Sequence, residues 1–239
     1  MMILREPKLV FIKTKKTAGS SIEIALSAKL QDGDFATPFG KEAELQRPGK
    51  QYIVRRSVQL LRERAKGEVQ ARYPHNGIGV VNRYLSDIAE GCSSICVERN
   101  PWDKAVSAFY FWMHQRGTQI NDANALFLSF CRTRLKFFSD FRLYSEGGEI
   151  AVDRVLRYES LDSDLAQVLD DFGLGDVSLG DKRLNSGIRK SKQFDVFYGE
   201  NWDGEAVDLV ADLFRREIDA FGYKLPTAEE PGAVGQTAS

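Results

Sequence analysis

The sequence predicts an α/β fold, with a central parallel sheet flanked by helices. Three short apolar runs of strand-forming residues, 9–12, 94–97 and 150–156, are each followed by a polar turn and then by apolar residues at helical spacing. Strands that alternate with helices form parallel sheets through right-handed crossovers. Ligands of such sheets bind at the carboxyl ends of the strands, so the turns after these runs are the candidate functional segments.

The first run leads into a loop rich in Lys, Thr, Gly and Ser. Apolar periodicity resumes after this loop, at Ile22, Ile24, Ala25 and Leu26, which predicts the order strand, loop, helix. Residues 31–50 contain several glycines and prolines and are predicted to be irregular. Residues 51–70 are predicted to form a basic helix.

The second run ends at Asn100 and Pro101, and a helix is predicted to follow over residues 101–117. The third run precedes a predicted helix from about residue 161 to 172, and another helix is expected over 204–221. The tail, residues 226–239, is rich in Ala, Gly, Pro and Thr, and we expect it to be disordered.

Length and composition indicate one soluble globular domain over residues 1–225. The chain has 239 residues, of which 43% are hydrophobic and 28% charged. No apolar run approaches the roughly 18 residues that span a bilayer, and no signal peptide is evident. The three cysteines form no C-x-x-C motif, which argues against a disulfide framework or a zinc site. A cytoplasmic protein without a metal is expected.

The net charge of −1 conceals two regions of opposite sign. Residues 47–72 hold eight basic side chains against two acidic ones, a local charge of about +6, whereas residues 146–181 hold ten acidic side chains against two basic ones, about −8. Such polarity either steers an anionic ligand toward one face or reflects solvated helix surfaces.

The loop of residues 13–21 has the composition of an anion-binding segment. Small residues and hydroxyls lie where a helix begins after a strand, so free backbone N–H groups and the positive end of the helix dipole face a ligand. Lys16 adds a positive charge. The loop lacks the G-x-x-x-x-G-K-[ST] pattern of nucleoside-triphosphate P-loops, because its lysine precedes the small residues.

This segment resembles the 5′-phosphosulfate loop of the sulfotransferase family, where a Pro-Lys-Thr-Gly-Gly-Thr-Ser-like string follows the first strand. In this sequence Lys15 occupies the position of the family's proline, and Ala18 occupies the position of its first glycine. The resemblance implies a P-loop-like sulfotransferase fold and a donor, 3′-phosphoadenosine 5′-phosphosulfate. It makes Lys16 the catalytic lysine at the sulfate and the bridging oxygen. It also implies a donor-binding loop of Lys15, Lys16, Thr17, Ala18, Gly19, Ser20 and Ser21.

Residues 97–108 resemble the 3′-phosphate motif of the same family. Arg99 directly follows the predicted strand, and its guanidinium group can donate two hydrogen bonds to one phosphate. Ser107 follows on the next predicted helix. The basic loop 185–192 resembles the late loop that closes over this phosphate, with Arg189 and Lys190 as the contacts. Tyr158, in an Arg-Tyr-Glu-x-Leu string, is implied to pack beside the adenine, although a core tyrosine fits the same pattern.

A general base must accept the proton of the attacking acceptor. His75 lies between the two phosphate motifs, where carbohydrate-type sulfotransferases carry their proposed base, and imidazole titrates near neutral pH. Glu98 is the rival base, or else a buried structural acid. His114 is expected to be a surface or packing residue.

The sequence therefore predicts a sulfotransferase that acts on a hydroxyl or amine of a small-molecule or carbohydrate acceptor. The acceptor pocket is expected from residues 29–72 and the aromatic residues 109–112. A P-loop kinase is the main alternative, but no Walker-type lysine or magnesium ligand set is apparent. A nucleotide-binding relative without catalysis and a nucleic-acid-binding module on residues 47–72 are weaker alternatives. No membrane partner is expected, and the oligomeric state, with a homodimer as one option, stays open.

Overall fold

The computed structural model of the chain describes residues 1–39, 44, 47, 49–179, 188–189, 194–200 and 204–226. Within these ranges it is an α/β protein with a five-stranded central sheet flanked by helices. The strands are β1 (Met2–Leu4), β2 (Leu9–Ile12), β3 (Phe35–Ala36), β4 (Ser93–Glu98) and β7 (Arg154–Arg157), and a separate hairpin consists of β5 (Ser145–Glu146) and β6 (Glu149–Ile150).

The sheet is mixed, with the strand order β3-β1-β2-β4-β7. Strands β2, β4 and β7 are parallel, as predicted, but β1 pairs antiparallel with both β2 and β3. The predicted parallel sheet is therefore confirmed for its three strands β2, β4 and β7 but not for β1 and β3. Residues 5–8 alone connect β1 to β2, which is far shorter than the dozen or so residues that a parallel crossover needs, so β1 turns back as a hairpin.

The helices confirm most of the predicted positions. They are α1 (Gly19–Ser27), α2 (Gln51–Ala65), α3 (Ile78–Tyr84), α4 (Pro101–Gln115), α5 (Ala123–Thr133), α6 (Leu161–Asp171), α7 (Asp195–Tyr198), α8 (Glu205–Leu213) and α9 (Arg215–Phe221). The single helix predicted over 204–221 is interrupted at Phe214, whose buried side chain packs in an aromatic core while its backbone leaves the helical region. Helices α3, α5 and α7 were not predicted.

The third predicted strand, residues 150–156, is also interrupted. Residue 150 ends β6, and β7 begins only at Arg154. Between them the Asp153 carboxylate accepts the backbone N–H of Ser94 at 2.7 Å, and the Asp153 backbone N–H bonds back to the hydroxyl of Ser94. These side-chain bonds tie the segment to the start of β4.

The chain forms two compact units that alternate along the sequence. The first comprises Met1–Glu98, Asp140–Arg157 and Leu161–Leu184, and the second comprises Arg99–Ser139, Tyr158–Ser160 and Asn185–Ser239. The first unit contains the sheet, and the second contains an aromatic helical core. The predicted single domain over 1–225 stays a prediction, and residues 227–239 of the predicted tail lie outside the described residues.

In the first unit, the central strands β2 and β4 are buried along nearly their whole length. Val10, Phe11 and Ile12 of β2 are buried, and so are Ile95, Cys96 and Val97 of β4. Continuous apolar runs of this kind are typical of parallel strands that are covered on both faces. Within the described ranges, no helix has the length and apolar character that crossing a bilayer requires.

The core of the second unit is built around Phe109. Its side chain is 0% exposed, and its ring makes edge contacts with Phe127 at 5.5 Å and Phe130 at 5.8 Å between centroids. Tyr110 is buried in the same cluster. The prediction that Phe109 and Tyr110 line an acceptor pocket is therefore wrong: the helical spacing of these aromatics points them into the core.

Phe109→Ala should lower the free energy of unfolding by about 3–5 kcal/mol, because it removes a large buried ring and leaves a cavity. Urea denaturation followed by circular dichroism measures the change. Phe137→Ala is the matched control, since the Phe137 side chain is 52% exposed, and its loss should stay within about 0.5 kcal/mol. Equal losses in the two variants would contradict the core assignment.

Candidate functional site

The loop after β2, residues 13–18, has an unusual backbone. Lys16 and Ala18 both adopt left-handed conformations, with φ values of 62° and 61°, which residues other than glycine seldom do. The Thr14 hydroxyl donates to the carbonyl of Val97 in β4, and the hydroxyls of Thr14 and Thr17 are 2.7 Å apart. Left-handed residues in turns are a feature of backbone nests that bind anions.

Helix α1 begins directly after this loop. Ala18 is its N-cap residue, no side-chain hydrogen bond caps the helix, and its first turn carries no acidic residue. The positive end of the helix dipole is therefore not neutralised within the helix itself. Gly19 is required at the first position, because a Cβ there would lie 2.8 Å from Cγ of Lys13 and 3.2 Å from the carbonyl oxygen of Thr14.

Two lysines of the loop are paired with buried carboxylates. Lys13 Nζ lies 3.1 Å from Oε2 of Glu23 in α1. Lys15 donates its backbone N–H to Oδ2 of Asp140 at 2.6 Å, and its Nζ lies 3.3 Å from Oδ1 of the same residue. Lys16, the predicted catalytic lysine, is half-buried in the same loop.

His75 is attached to the base of this loop. Its Nδ1 is 2.9 Å from the carbonyl oxygen of Lys13, so Nδ1 carries the hydrogen and the lone pair of the neutral ring is on Nε2. Burial, reinforced by the Lys13 ammonium, lowers the His75 pKa to about 4. The expected titration near neutral pH is therefore wrong, and the ring is neutral at physiological pH.

Glu98 ends β4 in a fully enclosed position. Its side chain is 0% exposed, and Oε2 accepts a hydrogen bond from the Tyr144 hydroxyl at 2.8 Å. This environment favours the structural acid among the two roles considered for Glu98, because a general base must reach the acceptor. The rival prediction, that Glu98 is the base, stays untested.

In the second unit, two arginines share one carboxylate. Nε and Nη2 of Arg99 lie 2.7 and 2.6 Å from Oδ2 of Asp103, and Nη1 of Arg189 donates to Oδ1. Burial opposes the ionisation of Asp103, but the two guanidinium groups outweigh it and lower its pKa. Asp103 had no predicted role, although its position four residues after Arg99, in the first turn of the predicted helix, could have indicated the pair.

Helix α4 presents Asp103 and Ser107 on one face. The helix begins at Pro101, and the side chain of Asn100 caps it by accepting the backbone N–H of Trp102 at 3.2 Å. Ser107 is half-buried one turn beyond Asp103. The structure thus brings together the side chains of Arg99 and Arg189, with Ser107 one turn further along, whereas Lys190 lies outside the described residues.

Tyr158 stacks on the arginine of this group. Its ring centroid lies 4.0 Å from Cζ of Arg99, a cation–π contact that fixes the plane of the guanidinium. The predicted packing of Tyr158 on adenine stays a prediction. His114 lies exposed in the last turn of α4, as expected for a surface residue.

A cleft of about 420 Å³ lies in the first unit, lined among others by Arg5, Arg56, Arg64 and Asp87. Residue 5 precedes β2 and residue 87 precedes β4, so the cleft lies where these strands begin, whereas residues 13–18 follow the end of β2. It is therefore at the opposite edge of the sheet from the loop. Residues 29–72 contribute to it, but their predicted role in an acceptor pocket gains no support from its position.

Comparisons of the chain with protein-family models, with curated proteins and with solved structures found no match. In the described part of the chain, no three His, Cys, Asp or Glu side chains form a group that could hold a metal ion. The expectation of a metal-free site stays a prediction.

Ala18→Gly should stabilise the protein by on the order of 1 kcal/mol, because glycine adopts a left-handed φ without the cost that a Cβ imposes. Ala25→Gly, inside α1, is the matched control and should destabilise by about 1 kcal/mol. Thermal unfolding of both variants measures the difference. If both substitutions destabilise equally, Ala18 is not strained.

The His75 ring should take up a proton only as the pH falls to about 4. Because an unfolded histidine titrates near 6.5, the unfolded state binds more protons between these values, so the free energy of unfolding should fall as the pH drops from about 6.5 to about 4. NMR titration of the imidazole, assigned with His75→Gln, measures the midpoint. A midpoint near 6.5 would contradict the buried, neutral ring.

Proposed function

We propose that the chain is a sulfotransferase, which moves a sulfuryl group from 3′-phosphoadenosine 5′-phosphosulfate to a hydroxyl or amine of a small-molecule or carbohydrate acceptor. The observation that carries the proposal is the loop of residues 13–18. It follows the carboxyl end of a central parallel strand, holds left-handed residues at Lys16 and Ala18, and leads into an uncapped helix. Ala18 adopts the left-handed conformation that glycine favours, and it lies where the sulfotransferase family, which this loop resembles, has a glycine.

The 3′-phosphate is assigned to the second unit. Arg99 and Arg189 converge on the carboxylate of Asp103, and both side chains are largely buried. Two guanidinium groups held together in this way support a phosphate ligand. Guanidinium groups hold phosphate oxygens by paired, charge-assisted hydrogen bonds, and the Ser107 hydroxyl would add a neutral one.

The 5′ side of the donor is assigned to residues 15–21 of the first unit. The backbone N–H groups at the start of α1 would hold the 5′-phosphate. Lys16 would stand at the bridging oxygen, where negative charge grows as the S–O bond breaks. A cation placed there in advance stabilises the transition state more than the ground state.

In the reaction, the acceptor oxygen or nitrogen attacks sulfur, and its proton passes to Nε2 of His75. The bond between sulfur and the bridging oxygen breaks, and adenosine 3′,5′-bisphosphate leaves. The His75 tautomer supports this role, because the hydrogen bond from Nδ1 to the Lys13 carbonyl leaves Nε2 as the basic atom. A bound anionic donor would raise the pKa of the ring from its low value toward the working range.

Adenosine 3′,5′-bisphosphate should bind at least tenfold more tightly than adenosine 5′-monophosphate, because each charge-assisted bond to the 3′-phosphate contributes about 1.5–3 kcal/mol. Calorimetric titration of the whole chain measures both affinities, with ATP as a third ligand. Arg99→Ala should abolish most of the preference for the bisphosphate.

Arg132→Ala is the matched control, since Arg132 pairs with Glu205 on the exposed surface of the same unit. It should leave the ratio of the two affinities unchanged. Equal affinities of the wild-type protein for the two nucleotides, or tighter binding of ATP, would refute the assigned donor.

A further inference from the structure

Asp140 is a buried carboxylate that contacts both the backbone and the side chain of one residue, Lys15. It is 0% exposed, yet it accepts the backbone N–H of Lys15 and lies beside the ammonium group of the same residue. Lys15 is distant in the sequence, and Asp140 starts a short turn in which Leu143 N–H bonds to the Asp140 carbonyl at 2.7 Å. One side chain from a separate segment therefore holds the first half of the loop.

The loop needs such a support. It contains two left-handed residues, a conformation that is costly outside glycine, and three lysines close together in the sequence. Strained backbone persists only where the surrounding structure fixes it. On the strand side Thr14 is bonded to β4, and on the helix side Gly19 packs closely on Lys13. Asp140 supplies the corresponding contact at Lys15.

We propose that Asp140 is a positioning residue, which holds residues 13–18 in their anion-binding conformation and places a negative charge beside this loop that also acts on His75. The part of the proposal that concerns the nucleotide rests on the proposed function. The parts that concern the loop and His75 do not.

The charged groups around His75 explain how Asp140 acts on this histidine. The Lys13 ammonium and the ammonium of Met1 oppose protonation of the ring, and Asp140 favours it. Burial dominates, and Asp140 is the negative charge that limits the fall of the His75 pKa. Removal of Asp140 should therefore lower the pKa of His75 further.

Positioning and simple electrostatics predict opposite effects on nucleotide binding. If Asp140 only added negative charge near the loop, its removal would strengthen the binding of an anion. If it holds the loop, removal disorders the site and weakens binding. We expect Asp140→Ala to weaken the binding of adenosine 3′,5′-bisphosphate at least tenfold in calorimetry. Asp140→Asn, which keeps an oxygen that can accept the Lys15 N–H, should recover most of this loss.

Asp153→Ala is the matched control. Asp153 also accepts a backbone N–H, that of Ser94, but at the beginning of β4. Its removal should leave the bisphosphate affinity within a few-fold of the wild-type value. The NMR midpoint of His75 should stay within a few tenths of a pH unit of the wild-type midpoint. Both Asp140 variants should lower the His75 midpoint. Unchanged or tighter bisphosphate binding in Asp140→Ala would overturn the proposal.

A wild-type protein that does not bind the bisphosphate would refute the proposed function alone. The role of Asp140 would then be decided by the His75 midpoint and by hydrogen exchange of the Lys15 amide. Protection of this amide in the wild type, and its loss in Asp140→Ala, would support the role. Rapid exchange already in the wild type would overturn it, and this measurement remains decisive if the variant does not fold.

Discussion

The parallel pairing of β2 with β4 determines where the loop of residues 13–18 begins. Ile12 lies opposite Cys96, so the two strands end at the same edge, and the loop follows the end of β2 directly. The Thr14 hydroxyl donates a hydrogen bond to the Val97 carbonyl, so the contact between these two chain segments continues past the end of β2. All of β2 and all of β4 except Ser93 are buried, which fixes the register of the two strands and therefore the starting point of the loop.

Buried carboxylates paired with cationic side chains recur in the described part of the structure. Glu23, Asp140 and Asp103 each lie against a lysine or arginine from a candidate binding segment. An isolated ion would be too costly in the interior, whereas a paired one is tolerated. Because each carboxylate also accepts hydrogen bonds of defined direction, these pairs fix where the cationic side chains lie before any ligand arrives. The binding groups are therefore organised in advance, which reduces the entropy lost on binding.

The environment of His75 shows how such organisation affects chemistry. Its hydrogen bond to the Lys13 carbonyl selects one tautomer, and burial beside a lysine keeps the ring unprotonated. A base has to be unprotonated to act, but a ring with such a low pKa holds a proton weakly. The proposed reaction therefore depends on the negative charge of the donor, whose arrival would raise the basicity of the ring when the acceptor has to lose its proton.

Local periodicity and loop composition were enough to predict the strand–loop–helix units around residues 9–27 and 94–115, because both act over a few neighbouring residues. The sequence also identified Arg99 and Arg189, which the structure brings onto one carboxylate. The antiparallel pairing of β1, the burial of Phe109 against Phe127, and the hydrogen bond from Lys15 to Asp140 became visible only in the fold. These outcomes, like the lowered pKa of His75, depend on burial and on contacts between residues distant in the chain, which local sequence patterns do not encode.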